Sequence, residues 1–374
     1  MAERRLATIE VDGFTSIRQA RVTLGHLNVL VGANGAGKSN FIQAFEMLGR
    51  LVEADLGLFV GLNGGASALL NSSADTSRIR IMLDGPPNAY EASLVPAAND
   101  ELIFEHEKIY FQGPHHETPW DREIGRGNRE TRLLEAAAEK PGQVASYVLD
   151  LLRGCRVFHF HDTSRDAPVK QLVSVADNIT LRNDAGNLAA VLLAFQDSEV
   201  SSYRAAYRRI VGAIRSVAPF FRDFVLRPTS SDRIQLRWRP VDSDAVFSTD
   251  QLSDGTLRFI CLVTLLLQPE LPALVVLDEP ELGLHPYAIV QLADLLRQAA
   301  VRSQVLLATQ SVTLMNQFEL ADLIIVQREN GASTFTRPDP DKLSDWLDEY
   351  SLGELWEKNL IGGRPGDVGR ETDG

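Results

Sequence analysis

Eight residues constrain this chain more than any others: Gly32-Ala33-Asn34-Gly35-Ala36-Gly37-Lys38-Ser39 fits the pattern G-x-x-x-x-G-K-[ST]. The pattern sits in the setting its chemistry requires. Leu27 to Val31 is a short apolar run that reads as a buried strand ending in glycine. From Lys38 to Val52 the apolar residues Phe41, Ile42, Phe45, Leu48 and Leu51 recur at helical spacing, so one helix face packs inward. A Gly-rich turn between strand and helix points successive backbone N–H groups around a phosphate, and the helix start adds positive potential. Lys38 then reaches the β and γ oxygens of a nucleotide such as ATP, and Ser39 can hold Mg2+. A Gly-rich turn that binds nothing is the alternative, and the strand-turn-helix context makes it the weaker one.

Two further motifs complete the chemistry. In Leu274-Val275-Val276-Leu277-Asp278-Glu279-Pro280, four apolar residues bury a strand. Asp278 emerges at its end to orient Mg2+ through water, and Glu279 can polarise an attacking water. Alone, this would be an acidic pair capping the next helix; beside a phosphate loop it reads as Walker B with its catalytic carboxylate. Leu252-Ser253-Asp254-Gly255-Thr256 precedes an apolar helix, Leu257 to Leu267. Ser-Asp-Gly is by itself only an N-cap, yet a helix start also offers free backbone N–H groups to a γ-phosphate.

Bulk properties narrow the setting. A chain of 374 residues with 44% hydrophobic content buries a core without disulfides, and the two cysteines, Cys155 and Cys261, lie far apart in apolar surroundings. That fits a reducing, cytoplasmic location and argues against a thiolate zinc site. Met1 to Glu10 lacks a signal-peptide core, and the longest apolar stretches, such as Phe259 to Leu267, are too short to span a bilayer. A soluble protein with no membrane partner is expected. The net charge of −13 opposes diffuse attraction to nucleic acid, so any DNA contact needs a local basic patch. Two groups offer one: Arg122, Arg126, Arg129 and Arg132, and Arg204, Arg208, Arg209 and Arg215. Solvated, salt-bridged faces are the competing reading of both.

Strand-like runs cover Leu6 to Val11, Arg18 to Leu24, Arg78 to Leu83, Tyr90 to Val95 and Leu102 to Phe111, the last three spaced as an antiparallel meander. Pro114 to Pro141 is polar and rich in Gly and Arg, which predicts an exposed insertion. Helices are expected over Val144 to Leu152, Asn187 to Gln196, Tyr203 to Val217 and Pro286 to Ala300, and a strand over Val305 to Ala308. There is no internal repeat and no coiled-coil heptad.

Ile9-Glu10-Val11-Asp12-Gly13-Phe14-Thr15-Ser16-Ile17, followed by the phosphate loop and Asn40, resembles the N-terminus of RecF, SMC and OLD-type ATPases. Glu279-Pro280-Glu281-Leu282-Gly283-Leu284-His285-Pro286 resembles the D-loop region of ATPases found among bacterial DNA-repair and phage-defence genes. The likeness runs through about Val326. It implies an α/β P-loop NTPase fold: an ABC-type ATPase head with an antiparallel β subdomain and an inserted helical lobe. The lobes then run 1-160 (first part of the ATP-binding α/β lobe, with the polar insertion 114-141), 161-270 (helical, bearing the signature), 271-335 (second part of the α/β lobe) and 336-374 (C-terminal extension).

The resemblance further implies ATP hydrolysis with Mg2+, with Gly32 to Asn40 on one nucleotide and Leu252, Ser253, Asp254 and Gly255 on the nucleotide of the opposite subunit in an ATP-sandwiched homodimer. Where the family has a histidine switch, this chain reads Ala308-Thr309-Gln310-Ser311, so Gln310 can donate a hydrogen bond to the γ-phosphate but cannot shuttle a proton. Thr15 stands where relatives often carry a basic residue. The Q-loop has two candidates, Gln112 and the stretch Phe158-His159-Phe160-His161-Asp162, whose alternation puts both histidines on one strand face. His161 with Asp162 could sense γ-phosphate or Mg2+; a polar strand face is the even alternative, and His115 with His116 is the only other histidine cluster. The segment Trp346 to Pro365 is too apolar for a disordered tail and implies docking on its own head or a partner site. Too little chain follows Val326 for an appended nuclease module, so a nuclease effector is expected to be a separate protein. The setting implied is DNA repair or anti-phage defence, with a regulatory switch that gates this effector as the alternative to a working ATPase.

Overall fold

The computed structural model describes residues 5–73, 76–113, 120–139, 142–347 and 349–362. They pack as two compact units, one from the described residues within 5–157, 272–276 and 306–362, the other from Phe158–Leu271 and Leu277–Val305.

The chain opens with β1 (Thr8–Phe14), β2 (Ile17–Thr23) and β3 (Leu27–Val31), followed by α1 (Lys38–Val52) and the short helices α2 (Leu56–Leu62) and α3 (Ala66–Leu69). β3 is buried at every position: its apolar residues pack inward and Asn28 bonds its side-chain amide to the Gly25 amide and carbonyl, while α1 buries the face carrying Phe41, Ile42, Phe45, Leu48 and Leu51. Next come β4 (Ile79–Gly85), β5 (Asn88–Pro96), β6 (Leu102–Phe111) and β7 (Trp120–Gly125). These strands form one sheet in the order β2-β1-β4-β5-β6-β7, antiparallel at every pairing. The three-run meander is thus extended on both sides, by the N-terminal hairpin and by β7.

β7 corrects one expectation. Of the segment 114–141, residues 114–119 and 140–141 lie outside the described residues, but the rest is no loose insertion. It supplies β7 and α4 (Leu133–Ala138), with Leu133 and Ala136 buried, before α5 (Gln143–Arg153) and β8 (Cys155–Phe158). Polarity misled because this segment is held by the hydrogen bonds of two carboxylates, the buried Glu107 and the half-buried Glu130. Glu107, fully buried on β6, accepts from the Tyr90 hydroxyl at 2.7 Å, the Thr131 hydroxyl and the Arg132 amide at 2.8 Å. Glu130 accepts from the amides of Leu56 and Gly57, both at 2.9 Å, at the start of α2.

The second unit contains β9 (Val173–Ser174), α6 (Leu188–Asp197), α7 (Ser201–Val217), β10 (Phe221–Phe224), β11 (Arg233–Ile234), β12 (Arg237–Pro240), β13 (Phe247–Ser248) and α8 (Asp254–Leu267). α6 is buried from Leu188 to Leu193, as a helix apolar all round must be. The strands make two small sheets, β10-β12-β13 and β11-β9. Then follow β14 (Leu274–Asp278), α9 (Pro286–Arg302), β15 (Gln304–Thr309), α10 (Val312–Met315), β16 (Leu323–Glu329), β17 (Ala332–Thr336), α11 (Pro340–Leu347) and α12 (Leu352–Glu357). The sheet that holds β3 has the order β17-β16-β3-β15-β14-β8, with β16 parallel to β3 and antiparallel to β17.

The apolar C-terminal stretch docks within the first unit. Leu352 and Leu355 are buried, and the Gly353 amide donates to Asn316 Oδ1 at 2.6 Å beside α10. Residues 363–365 of that stretch lie outside the described residues. Both cysteines are free and buried, and burial pushes each thiol up to about 12. No helix among the described residues is long and apolar enough to cross a membrane.

Burial raises the Glu107 carboxyl above its ordinary value against the opposing Thr131, Arg132 and Tyr90 hydrogen bonds. Its contribution to stability therefore falls as pH rises from the ordinary carboxylate range through the folded-state value. Glu107→Ala strands three donors and is expected to cost ~3 kcal/mol or more. Urea denaturation measures it, and an unchanged midpoint at neutral pH would show that the carboxylate does not hold β7 and α4.

Candidate functional site

The phosphate loop is built entirely within the first unit. β3 ends at Val31, and Gly32 passes so close to β16 that a Cβ there would lie 2.2 Å from the Val326 carbonyl. Gly37, the N-cap of α1, has a φ of 113° that side chains rarely adopt. α1 begins with no side-chain cap and no acidic residue in its first turn, so nothing anionic from its own first turn competes for the helix start. Lys38 is buried, and its Nζ donates to the carbonyls of Gly32 at 2.7 Å and Ala33 at 3.1 Å. Ser39 is exposed beside it. Backbone curvature, a cationic side chain folded over the loop and an open helix start together fit a phosphate chain.

Three residues far apart in sequence brace this loop from behind. Asn40 Nδ2 donates to Ser16 Oγ at 2.7 Å, and Ser16 Oγ lies 2.6 Å from Ser333 Oγ. The Ser333 amide donates to the Ser16 carbonyl at 2.8 Å. A Cβ on Gly37 would fall 2.0 Å from Ser333 Oγ and 2.8 Å from Ser16 Oγ, so the two hydroxyls fill the space under the loop. Arg328 Nη1 reaches the Gly35 carbonyl at 3.4 Å. Sequence reasoning found Asn40 through its motif and missed Ser333 altogether, because a serine on an edge hairpin carries no local signal.

Gln310 follows β15 directly and is half-buried. Ser311 next to it caps α10, accepting from the Leu314 amide at 3.2 Å. Gln112 is exposed at the end of β6, in the antiparallel sheet, where its amide donates to the Pro87 carbonyl at 2.8 Å. Thr15 adopts a φ of 49° in the β1-β2 turn, and its carbonyl accepts from Asn71 Nδ2 at 2.7 Å.

The second unit carries the carboxylates and the helix start read as a signature. Asp278 and Glu279 are half-buried at the end of β14, and Glu279 sits at a φ of 39°. The turn that follows is closed by the Leu282 amide on the Glu279 carbonyl at 3.1 Å and the Leu284 amide on the Glu281 carbonyl at 3.0 Å. His285 Nδ1 then caps α9, with Pro286 at its first position. Ser253 is the N-cap of α8, accepting from the Thr256 amide at 3.2 Å. The helix therefore starts three residues before the apolar run from Leu257, because a capping serine brings Asp254, Gly255 and Thr256 into the first turn. Leu252 is buried, while Ser253 and Asp254 are exposed.

β8 stops at Phe158, so the two histidines lie beyond the strand on which alternation puts them, although their rings still share a side, 6.4 Å apart. The backbone leaves the sheet because the His159 amide donates to the Asn183 carbonyl at 2.8 Å instead. His161 shares a small cavity with Phe158, Phe160, Arg258, Leu262, Leu277, Asp278, Glu279 and Pro280. Burial lowers the His161 imidazole below its ordinary value, outweighing the pull of Asp278, so the ring is neutral near pH 7. His115 and His116 lie outside the described residues, and among the described residues no group of three or more His, Cys, Asp or Glu could hold a metal ion.

The arginine groups separate clearly. Arg122, Arg126, Arg129 and Arg132 pair with Glu139, Glu123, Glu101 and Glu135. Arg204, Arg208, Arg209 and Arg215 are exposed on α7, and none of them makes an ion pair among the described residues. Arg204 and Arg215 donate instead to the carbonyls of Ser198 and Arg222.

A strand-loop-helix start of this kind in a mixed sheet, with an inserted helical unit, defines the α/β ATPase head of the ABC and AAA class. The family model described as "AAA domain, putative AbiEii toxin, Type IV TA system" matches residues 27–108 and 71–316. Since these matches span more than half of the chain, the protein belongs to that family. The fold is that of SMC heads. A crystal structure of the SmcHead bound to the C-winged helix domain of ScpA superposes with a TM-score of 0.54 at 14% identity, covering 89% of this chain and 97% of that one. An Smc head domain with an extended coiled coil, bound to the C-terminal domain of ScpA derived from Pyrococcus furiosus, also gives 0.54, at 15% identity over 92% and 99%. No curated protein matches the chain.

The brace under the loop yields a test of its own. Ser333→Ala removes the hydroxyl that fills the space below Gly37 and is expected to weaken MgATP binding by ~1 kcal/mol, the worth of one buried hydrogen bond. Calorimetric titration reads it; wild-type affinity would show that the loop holds its shape without Ser333.

Proposed function

We propose that this chain binds ATP with Mg2+, closes as an ATP-sandwiched homodimer and hydrolyses ATP to reopen. The observation that carries this reading is the uncapped start of α1 with Lys38 folded over the loop's own carbonyls, an arrangement complementary to a triphosphate. In this reading the amides from Gly32 to Ser39 cradle the β-phosphate, and Lys38 exchanges its carbonyl partners for β and γ oxygens. The Ser39 hydroxyl and the Asp278 carboxylate are the hard oxygen donors suited to Mg2+, which supplies charge neutralisation on the β and γ phosphates when bound. Glu279 takes a proton from the attacking water, and Gln310 donates to the γ-phosphate. The start of α8 at Ser253, Asp254 and Gly255 meets the γ-phosphate held by the second copy. Of the two Q-loop candidates, His161 is favoured over Gln112. It shares a cavity with Asp278 and Glu279, whereas Gln112 ends a strand of the other sheet.

The setting we favour is bacterial defence or DNA repair, since the family's description names a toxin of a type IV toxin–antitoxin system. DNA, where it is engaged, meets the unpaired arginines of α7 rather than the neutralised ones near β7. A separate effector protein is the natural output of such a head, and a switch with little hydrolysis is the second reading. The substitution of Gln310 for an imidazole favours slow turnover.

Lys38→Ala removes the cation at the phosphates and is expected to abolish measurable MgATP binding, whereas Glu279→Gln keeps binding and loses ~100-fold or more in turnover. Calorimetry and phosphate release decide. Unchanged affinity in the first variant removes the phosphate-loop assignment; wild-type turnover in the second removes Glu279 as the base.

A further inference from the structure

Arg258 lies one turn into α8 and fastens two loops of the second unit. Its Nη1 donates to the Leu282 carbonyl and its Nη2 to the His161 carbonyl, each at 2.8 Å. Its Nε is buried with no hydrogen-bond partner among the described residues. A half-buried guanidinium therefore spans two backbone carbonyls, with no carboxylate in an ion pair with it among the described residues. Leaving its buried Nε without a partner costs free energy, and its retention calls for a positional reason.

The surrounding packing shows what is being positioned. A Cβ on Gly255, in the first turn of α8, would fall 2.3 Å from the Gly283 carbonyl, and one on Gly283 would fall 2.7 Å from Arg258 Nη1. The start of α8 and the turn after β14 thus touch backbone to backbone, with Arg258 locking them. Leu282 joins both sides of this contact. Its carbonyl accepts from Arg258, and its amide donates to the carbonyl of Glu279, the residue held at a φ of 39°. A non-glycine residue keeps that conformation only where its surroundings enforce it. The chain from α8 to Glu279 therefore runs through one residue, Leu282, and two hydrogen bonds.

We propose that Arg258 is a positioning residue for hydrolysis: it ties the start of α8 to the turn that sets Glu279, so that a γ-phosphate contact at Ser253 and the orientation of Glu279 depend on one another. This rests on the ATPase reading above. It makes no use of contact between Arg258 and nucleotide, so it separates turnover from binding. Arginine is required for its shape: one planar fork spans two carbonyls, while a lysine ammonium offers a single point of charge and holds only one of them.

The test uses the full chain with Arg258→Lys, which keeps the charge, and Arg258→Met, which keeps the stem. Both are expected to lower kcat by about tenfold or more, as a misplaced catalytic group does, with MgATP affinity and KM unchanged. Backbone amide exchange supplies a readout independent of activity: the amides of Leu282 and Leu284 exchange faster in both variants, while those of α1 do not. Full kcat in Arg258→Lys, in a wild-type background that hydrolyses ATP, overturns the proposal alone. A matching loss of MgATP affinity overturns it too, by assigning Arg258 to binding. A wild-type chain that binds no MgATP overturns the ATPase reading and this proposal together.

Discussion

The start of α1 is the constraint on which the first unit turns. Its leading amides have no partner inside the helix, and its N-cap is a glycine that brings no side-chain oxygen to them. In an ordinary helix this would be a defect to be repaired by a Ser or Asp. Here the surroundings go to some length to keep it open. Gly32 and Gly37 are pressed against β16 and β17, Ser16 and Ser333 fill the space below, and Lys38 turns its ammonium onto the loop's own carbonyls. The loop is held in a shape that leaves the backbone amides of the helix start for an anion to satisfy. The strands it rests on give it a rigid base: β3 is buried at every position and β16 is buried from Leu323 to Val326.

The second unit repeats the theme with different means. α8 also starts at the surface, but with a serine cap that occupies the Thr256 amide; Ser253 and Asp254 are exposed, while Gly255 and Thr256 are half-buried. Its start rests on the turn after β14 through Gly255 and Gly283, with Arg258 across the contact. Two helix starts and Glu279, one of several non-glycine residues at positive φ, are among the points where the fold accepts local cost. Strain and unmet hydrogen-bonding capacity collect where chemistry is expected to occur.

Much of this was legible in the sequence, and the pattern of success has a physical cause. β3, α1 and β6 were read to their end residues, because each carries an unbroken or strongly periodic apolar pattern flanked by turn residues. The phosphate loop, Asp278, Glu279 and Ser253 stand out because backbone geometry forces particular residue types into fixed spacing. What sequence could not show is what depends on distant partners. Segment 114–141 looked like an exposed insertion, since nothing local reveals that Glu107 accepts the hydrogen bonds that seat it. Ser16 and Ser333 meet across most of the chain, and the arginine beside Leu257 looks like one more solvated charge until Leu282 and His161 are brought to it. The two arginine groups were equally basic on paper; only the folded chain pairs one with glutamates and leaves the other exposed.

In the proposed dimer, ATP is shared between the phosphate loop of one copy and the start of α8 in another. Light scattering coupled to gel filtration in MgATP measures it most directly, with Glu279→Gln used to stall the nucleotide. Twice the monomer mass is expected for Glu279→Gln. A return to monomer is expected when Ser253→Arg is added, since a bulky side chain there blocks the helix start while Lys38 still holds nucleotide. One and the same mass for both variants, monomer or dimer, would contradict that sharing and leave a simpler phosphate-loop switch in its place.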